Sequence, residues 1–176
     1  MRVKYLIIIL LFSALACKPK RHKVQEQLVS SEQENMIKLN KIQVQKETEI
    51  IDAFVRRRNW KMQMDSTGLW YQVYDKKLDT QKPEEGDWVS IAYKIWLLDG
   101  TLCYEVGSEK PKKIHLGYGN IESGADRGIR MMREGEKARF ILPPHLAHGL
   151  LGDDDKIPAR SIILYDIELI KISDKK

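Results

Sequence analysis

Residues 88–98 alternate with a period of two. Val89, Ile91, Tyr93, Ile95 and Leu97 fall on one side of an extended chain, and Trp88, Ser90, Ala92, Lys94, Trp96 and Leu98 on the other. That pattern specifies a strand, and Asp99-Gly100 follows it at once, a pair suited to the positive φ of a tight hairpin turn. The chain should therefore reverse and return through residues 101–105. Two later segments share the period: Ala138, Phe140 and Leu142 within 136–142, and Ile163, Tyr165, Ile167 and Leu169 within 161–171. Shorter β-rich stretches lie at 69–74 and 114–116. Residues 123–132 read as a short helix with Ile129 and Met132 inward, closed by a turn at Gly135, and 143–160 form a long loop. The fold class that results is α+β, a curved antiparallel sheet wrapped around one short helix.

The two ends are unlike the rest. The formal net charge is +5, but Arg2, Lys4, Lys18, Lys20, Arg21 and Lys23 precede the first acidic residue, and without them acids and bases nearly cancel. The folded part has no basic excess, which excludes a nucleic-acid partner. Arg2 and Lys4 lead an apolar run, residues 5–15, shorter than the roughly 20 residues that span a bilayer. Ser13-Ala-Leu-Ala-Cys17 closes it and resembles a bacterial lipobox, with Ala14 where Leu is usual. Residues 1–17 are thus expected to be a lipoprotein signal peptide with Cys17 acylated, an ordinary secretory signal being the alternative. The basic residues that follow would lie against anionic headgroups. The expected location is the bacterial envelope, lipid-anchored and facing the periplasm. Only Cys103 remains in the exported chain, so no internal disulfide forms, and Cys103 reads as a small buried hydrophobe.

Residues 18–31 read as a tether. Ser31 and Glu34 have the form of a capping box opening a helical extension, 32–59. Met36, Leu39 and Ile42 share one face of it, as do Ile50, Ile51, Phe54 and Val55. That extension is expected to pack on the following domain, 60–176, rather than to dimerise.

Within 84–172 the residues Gly86-Asp87-x-Val89…Tyr93, Asp99-Gly100, Leu116-Gly117, Gly124…Gly128, Met132, Gly135-Glu-Lys-Ala138, Ile141…Pro144, Ala147…Gly149, Gly152, Ile157-Pro158 and Asp166-Ile-Glu-Leu169 resemble the FKBP-type peptidyl-prolyl isomerases. With the lipoprotein-type leader and helical spacer, the layout is most similar to the gliding-motility-associated FKBP lipoproteins. The resemblance implies an isomerase acting on proline-containing segments of exported proteins. Rotation about a prolyl amide is opposed by ~18–20 kcal/mol of lost resonance. An apolar cavity can favour the twisted, less charge-separated amide without any nucleophile or cofactor.

By the same resemblance Tyr93 is an aromatic wall, Ile121 and Ile157 are aliphatic walls, and Tyr165 replaces a Phe. The amide of Ile157 would contact substrate, and His148 stands where a loop Tyr donates to a substrate carbonyl. Four positions depart from the pattern: Cys103 and Tyr104 replace a Phe-Asp pair, Glu122 replaces an aliphatic residue, and Ala125 replaces the floor Trp. An indole buries on the order of 150–250 Å², so the pocket should be shallower and wetter unless Tyr104 or Met131 refills it. Two other readings stay open: a non-catalytic binding module using the same groove, and an accessory of a motility or secretion machine working through the helix. His145, His148 and residues 153–155 invite a metal site, but no regular spacing aligns them, so no metal or cofactor is expected. The three aspartates read as a solvated loop tip.

Overall fold

The computed structural model describes residues 21–173, with side chains from residue 32 onward. The leader 1–17 and the acylation site Cys17 lie outside the described residues. No described helix is long and apolar enough to cross a membrane.

Helix α1 runs Arg21–Arg57. Its sequence contains neither Gly nor Pro and is rich in Gln, Glu and Lys, so nothing interrupts it. This corrects the expected tether: from residue 21 the chain is already helical, and Ser31 sits inside the helix instead of capping it. The end is well defined. Asn59 adopts φ +55, Trp60 N donates to Val55 O at 3.2 Å, and Asn59 N donates to Arg56 O at 3.0 Å, the paired bonds of a Schellman ending.

The chain divides into two compact units, residues 1–45 and 46–176. In the first, the described part is helical, and Met36, Ile37, Leu39 and Ile42 are exposed. The second begins at Lys46, not at 60, because the last turns of α1 are part of its core. Ile51, Phe54 and Val55 are buried with Ile141, and Trp60, Trp70, Leu98, Ile162 and Leu164 pack around them.

Seven strands make one antiparallel sheet: β1 Gln63–Met64, β2 Trp70–Asp75, β3 Trp88–Leu97, β4 Leu102–Val106, β5 Lys112–His115, β6 Lys137–Leu142 and β7 Ile163–Ser173. Their order is β1-β2-β6-β7-β3-β4, with β5 also paired to β3. Strand β3 is central because it is long enough for its first half to pair with β5 and its second with β4. The hairpin after it forms at Gly100, φ +98. The expected inward sets on β6 and β7 (Ala138, Phe140, Leu142; Ile163, Tyr165, Ile167, Leu169) are all buried. They enclose helix α2, Ser123–Ile129. Gly128 lets α2 approach the sheet: a Cβ there would lie 2.7 Å from the Phe140 ring.

Candidate functional site

The concave side of β3 and β7, the start of α2 and the loop 143–160 together hold the expected pocket residues. Tyr93 on β3 is half-buried and its ring lies 5.8 Å from that of Tyr165 on β7, inclined by 50°. Lys112 Nζ stands 5.8 Å from the Tyr93 ring centre. Ile157 is buried and Ile121 half-buried in the same hydrophobic cluster. His148 follows the 3-10 turn Pro144–Leu146. The sequence-derived set is therefore brought together on one face.

The substituted residues give that face a different character from an aliphatic cavity. Glu122 occupies the N-cap position of α2, yet its side chain caps nothing. Its carboxylate turns to the last strand and accepts a 2.5 Å hydrogen bond from the Tyr165 hydroxyl. The other oxygen lies 2.8 Å from His148 Nε2. That approach is close in distance but not aligned as a hydrogen bond, and Nε2 is buried with no in-line acceptor. Burial, then the Glu122 charge and hydrogen bond, push the Tyr165 phenol well above its ordinary range, so it stays a donor. The pair is self-consistent: a hydroxyl on a side chain only 1% exposed needs an acceptor, and Glu122 provides it.

Both expected candidates, Tyr104 and Met131, pack against the core cluster that contains Ala125. The Tyr104 hydroxyl donates to Asp153 and, at 3.2 Å, to Asp155, with Lys156 Nζ 5.1 Å above its ring. Met131 lines a separate surface depression with Val73, Lys77 and Glu136. Ala125 has no exposed surface. Cys103 is buried, as expected, its thiol pushed up by burial.

Two readings of the loop are corrected. Asp153 is no solvated tip. Its Oδ1 accepts from the amides of Ile157 at 2.7 Å and Asp155 at 3.0 Å. Partial burial works against its charge, but the Tyr104 hydroxyl and these amides overcome that and hold the carboxyl at about 2. Consequently the Ile157 amide, assigned to substrate by resemblance, is engaged within the protein. The amide of Glu122 makes no hydrogen bond among the described residues, which leaves a backbone donor at the pocket that sequence reasoning missed. The spacing of Asp153 to the second and fourth following amides was the available signal. His145 goes elsewhere: its Nε2 lies 2.9 Å from Thr67 O. Among the described residues no cluster of three metal-ligating side chains occurs.

The profile of the family described as FKBP-type peptidyl-prolyl cis-trans isomerase matches residues 79–170. The chain is 40% identical over 96 residues to FK506-binding protein 2 of Yarrowia lipolytica, covering 54% of this chain and 67% of that one. It is 38% identical over 95 residues to FK506-binding protein 2 of Dictyostelium discoideum, covering 53% and 71%. It is 39% identical over 92 residues to the peptidyl-prolyl cis-trans isomerase FKBP9 of Rattus norvegicus, covering 51% of this chain but only 16% of that relative's length. These relatives are eukaryotic, and the similarity to them covers about half of this chain.

Proposed function

The chain belongs to the FKBP-type peptidyl-prolyl cis-trans isomerase family, and on that premise we propose that it isomerises prolyl bonds in extended polypeptide segments through a pocket with a polar lining. The observation that carries this reading is the meeting of Tyr93, Tyr165, Ile121, Ile157 and His148 on one concave face. The aromatic and aliphatic walls take up the pyrrolidine ring and withdraw water from its amide, which favours the twisted state over the planar one. On this reading the free Glu122 amide and His148, as its Nε2–H tautomer, are the donors that hold flanking carbonyls. His148 must leave Glu122 to do so, and the poor alignment of that contact makes the exchange easy. The test is a prolyl-peptide isomerisation assay on the whole chain. Catalysis appears as acceleration over an uncatalysed exchange of tens to hundreds of seconds; an unchanged rate contradicts the reading.

A second reading, a binding module without turnover, is favoured by one observation, the commitment of the Ile157 amide to Asp153. Under it prolyl peptides bind and exchange no faster. Residues 1–23 support a lipid-anchored place in a bacterial envelope, where the clients would be exported proteins and the site of action a motility or secretion machine. Lipid incorporation in cells by the natural chain, lost in Cys17→Ser, is the expected result.

A further inference from the structure

Glu122 brings a carboxylate to the Tyr165 hydroxyl, beside the cluster in which Ile157 is buried and against which Tyr93 and Ile121 pack. Its side chain is 13% exposed, so it is shielded but not sealed. A carboxylate has about four lone-pair sites. Tyr165 takes one, and the misaligned His148 contact leaves Oε1 without an in-line donor. Among the described residues no Lys or Arg pairs with the Glu122 carboxylate, and the nearest basic group is the His148 imidazole, 2.8 Å away. Lys112 and Lys156 are held over the rings of Tyr93 and Tyr104, while Asp153 and Asp155 add negative charge across the loop.

Resting on the isomerase reading above, we propose that Glu122 is a specificity residue, selecting prolyl segments that carry a Lys or Arg next to the proline. An apolar neighbour would cover this carboxylate and remove its water without giving a counter-charge, which costs free energy. A cationic neighbour supplies that charge, and an acidic one meets repulsion. The selection is thus made partly against the wrong partner.

The test uses the whole chain and three peptides of the form Ala-X-Pro-Phe, with X as Lys, Leu or Glu. The expected kcat/KM favours Lys over Glu by about fivefold or more at low salt, the scale of a partly exposed ion pair. The preference should shrink in 1 M salt, where the Debye length is about 3 Å. Glu122→Gln keeps an acceptor for Tyr165 and removes the charge, so its ratio should fall toward one. Equal rates for the three peptides in the natural chain, or a Lys preference that survives in Glu122→Gln, overturns the proposal. Should Glu122→Gln fail to fold, the salt and peptide series on the natural chain decides alone. Absence of any turnover refutes the isomerase reading instead. Titration of the same peptides then keeps the charge question open to measurement: a flat order of Kd refutes the selection, and tighter binding of the Lys peptide supports it.

Discussion

The two sides of the sheet are closed by helical segments of opposite kind. On the outer side the last turns of α1 press Ile51, Phe54 and Val55 onto Ile141, a mainly apolar contact with the Arg58 guanidinium over the Phe54 ring. On the inner side α2 is short and built on Gly124, Ala125 and Gly128, so it sits close to the sheet with little side-chain bulk. Its leading residue, Glu122, is committed to Tyr165. One side is a seal that depends on buried area; the other is a fitted wall where polar atoms must find partners. The proposed function uses the second, where the Tyr165 hydroxyl and the Glu122 carboxylate meet apolar walls.

The sharpest way to break this contrast is to remove the seal. Deleting residues 18–59 strips three buried apolar side chains from the sheet. At about 1.5–3 kcal/mol each, their loss should unfold a domain of ordinary stability, seen as a lost thermal transition. Deleting only 18–45 should leave that transition almost in place. The next largest effect is expected on the inner side, from Gly128→Val. The new Cβ would press on the Phe140 ring, and overpacking of this sort costs about 1–3 kcal/mol, measurable by denaturant unfolding.

A subtler variant separates polar pairing from packing. Tyr165→Phe leaves a shielded carboxylate without its hydroxyl donor and should cost about 1–3 kcal/mol. Adding Glu122→Ile to it removes the orphaned partner, so the double variant should recover most of the loss. A double variant as unstable as Tyr165→Phe alone would show that the two groups are not a unit. The smallest effect is a pH slope. Asp65 and Asp153 are both held at about 2, against burial, by hydrogen bonds from Thr67, Arg127 and Leu69 in the first case and from Tyr104, Ile157 and Asp155 in the second. Depressed carboxyls stabilise the fold above their ordinary value near 4 and lose that contribution as pH falls toward 2. The melting temperature should drop across that window, less steeply in Asp65→Asn.

Much of the scaffold was legible in the sequence because its signal is local. The alternation around Tyr93 and Phe140 and the turn at Gly100 depend on neighbours a few residues away. The candidate pocket positions came only from the family resemblance, since no local period marks them. What Glu122 and Asp153 do was not legible. Their partners Tyr165 and Tyr104 lie 43 and 49 residues away in the chain, and no period in the sequence links a carboxylate to a phenol at such distances. The start of α1 was misplaced for a different reason: Ser31 and Glu34 imitate a cap, while the uninterrupted helix formers before them carry the helix through.

The central claim is that the Tyr165–Glu122 pair tempers, without abolishing, a working proline site. Prolyl exchange of a Leu-Pro peptide measured side by side with the natural chain and with the Glu122→Ile/Tyr165→Phe variant tests it most directly. Acceleration by the natural chain, raised several-fold in the variant as its walls become apolar, is the expected result. No acceleration by either folded protein, or a variant no faster than the natural chain, would contradict it.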